Sequence, residues 1–235
     1  MLTPQGKYFA DFFLQAEQDS ILLDVPLARE AAIIKKLNMY KLRSAATLTE
    51  CPEYQVVAFL NEDNPNPSNN LIFIDPRSAK LGRRGFMLKS DLKQMTENLR
   101  YDKNAYDLTR IANFVAEGEK DLVSEQSFLL EYGLGELNAI DYKKGCYVGQ
   151  ELVARTHYLG VVRKQIVQVE SEQELPALST IIYAGEQKLG VICSSVNNKG
   201  LALIRTENVI NLDPKMVITA NEQEVKLRFK EKLDE

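Results

Sequence analysis

The densest chemistry in this chain lies in one nine-residue stretch, Lys143-Lys144-Gly145-Cys146-Tyr147-Val148-Gly149-Gln150-Glu151. A thiol can serve as nucleophile, metal ligand or redox group, and two flanking lysines favour its thiolate electrostatically. Gly145 and Gly149 permit φ > 0 or a close backbone approach. The bland alternative is a tight glycine turn around a buried, inert Cys, since free Cys is among the most buried residue types. The flanking charges argue against an apolar burial site, so the functional reading leads.

Little else in the chain competes with this stretch. His157 is the sole histidine, and Cys51, Cys146 and Cys193 form no CxxC or Cys/His cluster. The chain alone therefore offers no recognisable zinc or four-Cys iron–sulfur ligand set, and no metal site is expected. A single His rules out arguing any Ser-His-Asp ordering, and neither a GxGxxG nor a Walker-type loop is present. With 29 Lys and Arg against 33 Asp and Glu, the net charge of -4 argues against a general nucleic-acid binder. No apolar run is long enough for a membrane-spanning helix. The N-terminus shows neither a secretory h-region nor transit-peptide character. Three widely spaced thiols suggest a reducing, cytosolic setting.

The elements that must position the Cys stretch follow from periodicity. Residues 7–14 and 21–25 are apolar runs around the polar turn Glu17-Gln18-Asp19-Ser20, which predicts a β-hairpin. Pro26 suits the first turn of a helix. Residues 27–42 place Leu27, Ala31, Ile34, Leu37 and Met39 or Tyr40 on one side of it. Residues 45–50 and 54–60 read as strands, 61–70 as a solvated loop, and 71–75 (LIFID) as a buried strand. Two hairpins and a helix in this order resemble a ferredoxin-like α+β layer. The basic segment with Arg77, Lys80, Arg83 and Arg84 reads as a solvated loop or an anion contact. Ser90 or Asp91 caps a helix to about residue 100. Another helix covers 106–115, with Gly118 as its end. Residues 151–156 open as a helical turn or a strand. From Val161 the pattern changes to short strands with turns at 184–185 and 197–200, which predicts a small all-β module, a barrel. The expected division is a body over 1–159 and a barrel over 160–235.

The Cys stretch also carries a family resemblance. Lys144-Gly145-Cys146-Tyr147-Val148-Gly149-Gln150-Glu151 resembles the signature of the YgfZ family of folate-binding proteins. That family is related to the glycine-cleavage T-protein, an aminomethyltransferase, and includes a mitochondrial iron–sulfur assembly factor. Leu2-Thr3-Pro4-Gln5-Gly6-Lys7 with Asp11-Phe12-Phe13 is similar to the family's early hairpin. Arg110-Ile111 with Glu117-Gly118, Leu130-Glu131 with Leu134, Leu137 and Asn138, Ala154-Arg155-Thr156, and Gly160 through Lys164 continue the match along the chain. Family members begin with an additional βα segment before the Leu-Thr-Pro-Gln-Gly stretch. This chain starts inside that stretch, so an N-terminal segment is expected to be missing, through a start site assigned too late or through loss.

The resemblance implies an α+β, ferredoxin-like and T-protein-like folate-binding body of two intertwined subdomains, followed by a small C-terminal β-barrel. It implies tetrahydrofolate as the bound ligand and a role in assembling or repairing iron–sulfur clusters, rather than stand-alone catalysis. Expected partners are iron–sulfur assembly proteins or client iron–sulfur enzymes, in a bacterial cytoplasm. Cys146 is then the working thiol and Lys144 the group that lowers its pKa, with Gly145 and Gly149 holding the loop near the pterin. Glu131 would meet the pterin's donor edge and Arg155 the glutamate carboxylates. Tyr147 would stack on the pterin or pack in the core. Gln150 and Glu151 would bond the ligand or cap the loop, and Arg155 has Glu151 as a rival partner. The alternative is a folate-dependent aminomethyltransferase. T-proteins carry a paired Gly-Gly…Asp-Asp element on the early hairpin, where this chain offers at most Asp11, which weakens acid–base catalysis there.

Overall fold

The computed structural model describes residues 1–60, 71–95, 102–210, 212–213 and 215–230. The expected loop at 61–70, the helix beyond residue 95 and the charged tail beyond residue 230 lie outside these residues. The chain opens with the hairpin β1 (Phe13–Glu17) and β2 (Ser20–Asp24), turning at Gln18 and Asp19. After Pro26 comes a 3-10 turn and then helix α1 (Glu30–Tyr40). Strands β3 (Tyr54–Phe59), β4 (Ile72–Ile74) and β5 (Arg83–Leu88) form an antiparallel sheet in the order β3-β5-β4. Helices α2 (Lys89–Met95), α3 (Lys103–Ala112) and α4 (Gly118–Asp121) follow. Asp102 starts α3 by accepting the Asn104 and Ala105 N–H groups.

Several local expectations fail for identifiable reasons. Leu27 falls in the 3-10 turn, so the helical period starts later than expected. The buried side of α1 is Ile33, with Ala32 and Leu37 packed beside Phe9 and Ala10, and Leu27 is 85% exposed. Residues 45–50 find no partner strand among the described residues and are irregular and mostly exposed. The LIFID strand is an edge: Leu71 is buried but Ile74 is exposed. Gly118 does not end α3, which stops at Ala112 and Asn113. It begins α4, where a Cβ would lie 2.1 Å from Asp11 Oδ1 and 2.2 Å from Tyr8 Oη.

Helix α5 (Gln150–Leu159) leads into the β module. Its strands are β6 (Lys164–Glu170), β7 (Ile181–Ala184), β8 (Gln187–Val196), β9 (Lys199–Arg205), β10 (Ile218–Ala220), β11 (Gln223–Glu224) and β12 (Lys226–Arg228), with a short α6 (Thr206–Ile210) before β10. The sheet order is β11-β10-β7-β8-β9-β6-β12. Its two edges, β11 and β12, are separated in sequence only by buried Val225, so the sheet curls into a nearly closed barrel.

Alternation decides what each barrel face buries. Val167, Ile192, Ala202 and Ile204 point into the barrel. Ile166, Cys193, Leu201 and Leu203 point outward, onto Tyr8, Ile111, Leu122, Tyr132 and Val153 of the body. A strand buried on both faces reads as a continuous apolar run, which accounts for Gly200-Leu201-Ala202-Leu203-Ile204. The body and barrel therefore share one core, and α5 with its preceding Cys loop is anchored on it through Val153.

Candidate functional site

The Cys146 loop is held by its own short polar groups. Asp141 Oδ1 accepts the Lys143 N–H at 2.8 Å and the Lys144 N–H at 3.2 Å, an Asx turn that starts the loop. At the far end, the Tyr147 N–H donates to Gln150 Oε1 and the Gln150 N–H donates back to the Tyr147 carbonyl, both at 3.2 Å. Gly149, at φ +82°, is the N-cap of α5 and sits against Thr3, Gly6 and Leu2. Between these supports Cys146 is exposed. Lys144 Nζ lies 4.6 Å from the Tyr147 ring centroid, a cation–π contact. Tyr147 packs partly against the shared core. Behind the loop, Tyr142 stacks on His157 with centroids 3.8 Å apart.

The other anticipated ligand residues have local partners or face solvent. Gln150 caps the loop. Gly145 has an ordinary φ and nothing within 4 Å of a Cβ, so it is not a point of close approach. Glu151 and Arg155 are exposed on α5 and form no ion pair with each other. Asp11 Oδ1 accepts the Tyr8 hydroxyl at 2.7 Å. Glu131 pairs with Lys164 at 3.6 Å and lines a cleft of about 180 Å³. Pockets for drug-sized ligands run from about 300 to 1,000 Å³, and this open cleft lies below that range.

Sequence reasoning missed a belt of charges that ties the body to the barrel. Arg84 pairs with Asp24 of the hairpin at 2.5 Å. Arg77 pairs with Asp75 at 2.7 Å and Glu117 at 3.1 Å. Tyr106 accepts from both arginines and donates to Glu117. Both guanidinium groups also face the Phe13 ring, at 4.9 and 4.5 Å. The expected solvated basic loop is thus half internal: Lys80 and Arg83 are exposed, whereas Arg77 and Arg84 are ion-paired. Lys120 bridges Glu117 and Asp107. Arg110, 1% exposed, donates to Asp107 at 2.6 Å, Asp121 at 2.7 Å and Ser194 of β8 at 2.9 Å. Ser194 Oγ donates to Asp121 at 2.5 Å. Gln168 of β6 adds bonds to the last carbonyls of α3, at Ile111 and Ala112. The usable sequence signal was local opposite charge, at 107 and 110 and at 117 and 120, which are neighbours on a helical turn.

This belt predicts a specific acid dependence. Burial raises the pKa of Glu117, but Lys120, the Tyr106 hydroxyl and Arg77 outweigh it and hold the carboxyl down to about 2. A depressed carboxyl stabilises the fold above its unfolded pKa and loses that contribution as pH falls through the folded value. The window is therefore from about pH 4.5 down to about pH 2, and the magnitude at most on the order of 3 kcal/mol. Asp24 and Asp121, raised by burial, act in the opposite sense. Urea unfolding of the native chain and Glu117→Gln isolates the effect: their stability gap at pH 5 should shrink steadily toward pH 2.

Residues 163–233 match the family model described as the CAF17 C-terminal β-barrel domain. Over 231 residues the chain is 32% identical to the mitochondrial iron–sulfur cluster assembly factor IBA57 of Mus musculus, covering 88% of this chain and 64% of that protein. It is 38% identical over 176 residues to the mitochondrial IBA57 homolog of Mycosarcoma maydis, covering 71% and 44%. The chain thus spans between 44% and 64% of the length of these two relatives. In structure it resembles the glycine cleavage system aminomethyltransferase T from Bartonella henselae, with a TM-score of 0.60 and 10% identity, over 97% of this chain and 72% of that one. At that identity the likeness is one of fold, and it agrees with the expected T-protein-like body and C-terminal barrel. The expectation of a bacterial cytoplasmic setting is overturned, because these relatives are mitochondrial proteins.

Proposed function

On the premise that the barrel is of the CAF17/IBA57 family and the whole chain has the T-protein fold, we propose that this protein is an iron–sulfur cluster assembly factor whose working group is the Cys146 thiol. The mitochondrial compartment of its relatives is the setting that goes with this reading. The observation that carries it is an exposed thiol on a loop pinned at both ends, by Asp141 before it and by Gln150 and Gly149 after it. An inert structural cysteine would be buried, as Cys193 is; burial pushes the Cys193 thiol up to about 12.

Among the described residues no group of His, Cys, Asp or Glu is arranged to hold a metal ion. Cys146 therefore acts as one ligand to a cluster that is cargo, and the remaining ligands come from a partner assembly protein or client enzyme. The loop's fixed ends reduce the ordering entropy lost when the thiol engages.

Tetrahydrofolate is the finer part of the reading. The T-protein-like fold supports it, whereas the bonded states of Asp11, Gln150 and Glu131 count against those side chains as its ligands. Titration calorimetry with tetrahydrofolate tests it alone: absence of binding removes folate and leaves the cluster role standing. An aminomethyltransferase would need a free acid near the folate, and Asp11 is already engaged by Tyr8.

The central test is Cys146→Ala, expressed in cells depleted of their own factor. Its side chain is exposed, so unfolding should shift by no more than about 0.5 kcal/mol. Activity of iron–sulfur enzymes should fall to that of depleted cells. Full complementation at normal protein level would show that the thiol is not the working group.

A further inference from the structure

The cleft that Glu131 lines is walled mostly by apolar side chains, among them Leu130, Val153, Val161 and Val162, with Glu131 and Arg163 as its charged members. At about 180 Å³ it is too small for a drug-sized ligand and large enough for one or two bulky apolar side chains. Its apolar lining continues onto the surface. Val161 is 82% exposed and Leu159 85%, and Phe128, another lining residue, is exposed as well. Single exposed apolar residues are ordinary, but a run of them continuous with an apolar cleft marks an interaction site.

Charge selects the occupant. The whole chain carries -4, yet the surroundings of this cleft are positive. Glu131 is answered by Lys164 at 3.6 Å. Lys7 lies over the Phe128 ring at 5.8 Å, and Arg163 lines the cleft; neither has a carboxylate partner among the described residues. Two positive charges are thus left beside an apolar slot.

We infer that this cleft docks an acidic segment of a partner protein, which inserts one or two bulky apolar side chains between α5 and the start of the barrel. Docking of this kind uses an apolar anchor for affinity and rim charge for orientation and approach. The inference does not rest on Cys146 or on folate. Its consequence for cluster delivery rests on the Cys146 reading: Leu152, Val153 and Thr156 of α5 line the cleft, and Gly149 caps the same helix three residues after the thiol. At 1.5 Å per residue, a docked partner would lie within about 10 Å of the Cys loop along the helix axis.

Fluorescence anisotropy with the full chain tests the docking. The probe is a fluorescein-labelled glutamate-rich peptide with two leucines four residues apart. Controls carry lysine for every glutamate, or serine for both leucines. The acidic leucine peptide should bind saturably and at least tenfold more tightly than either control. Val162→Asp and Arg163→Glu, both at exposed positions, should each weaken it at least tenfold, while Cys146→Ala leaves it unchanged. No saturable binding, equal binding of a control, or indifference to both cleft variants overturns the proposal. Sedimentation equilibrium covers the remaining occupant: dimerisation abolished by Val162→Asp would assign the cleft to a second copy of the chain and also overturn it.

Discussion

Arg110→Met should destabilise this protein by about 3–5 kcal/mol, the range for breaking a buried ion pair from one side. Arg110 is 1% exposed and its guanidinium ties three carboxylate or hydroxyl groups from three elements: Asp107 on α3, Asp121 on α4 and Ser194 on β8. Methionine preserves much of the aliphatic stem and removes every donor. The Asp121 side chain, wholly shielded from solvent, would keep only the Ser194 hydroxyl and the Glu117 N–H. Burial already pushes the Asp121 pKa up with the arginine in place. Without it, the carboxylate must either take a proton or stay charged in an apolar setting, and both cost free energy. At about 2–4 °C per kcal/mol for a chain of this size, the midpoint of thermal unfolding should fall by about 10 °C. Adding Asp121→Leu removes the orphaned charge and should recover part of the loss, a coupling that a double-mutant cycle reads directly. A single-variant loss under about 1 kcal/mol would mean that the belt does not hold barrel to body.

The second large effect separates two glycines of one motif. Gly149→Ala should cost about 3 kcal/mol, and Gly145→Ala no more than about 0.5 kcal/mol. At Gly149, φ is +82°, which alone costs a non-glycine residue about 1–2 kcal/mol. The new Cβ would also lie 2.5 Å from the Thr3 carbonyl and 2.9 Å from Gly6 Cα, both backbone, so the N-terminal stretch must move. Gly145 has open space around it. Urea unfolding gives the energies, and the accessibility of Cys146 to a thiol reagent reports the loop. Gly149→Ala should change the reagent's rate and Gly145→Ala should not. Equal stability losses would contradict the backbone placement at Gly149.

Much of the architecture was legible from periodicity. The hairpin, α3, the barrel strands and the turn at 197–198 follow from local patterns of apolar and turn residues. Reading failed where a local pattern admits two answers. Residues 45–50 have strand-like composition and, among the described residues, no strand to pair with. The apolar face of α1 was misplaced because Pro26 begins a 3-10 turn, which shifts the helical phase. Gly118 reads as a helix stop, but what requires glycine there is the closeness of Tyr8 and Asp11, more than a hundred positions earlier.

By itself the sequence singled out Cys146 as the candidate working group: its neighbours, its glycines and the lack of other ligand clusters are contiguous or countable facts. It also determined that a helix follows the loop and a β module ends the chain, because hydrophobic period is a local property. Only the tertiary structure decided which glycine is strained, that Gln150 bonds the Tyr147 backbone, and that Arg77 and Arg84 belong to an internal network. It alone joined Arg110 to Ser194 across 84 positions. The physical reason is desolvation. A charge, a thiol or a glycine acquires its energetic meaning from what excludes water around it, and in this protein those neighbours come from distant parts of the chain.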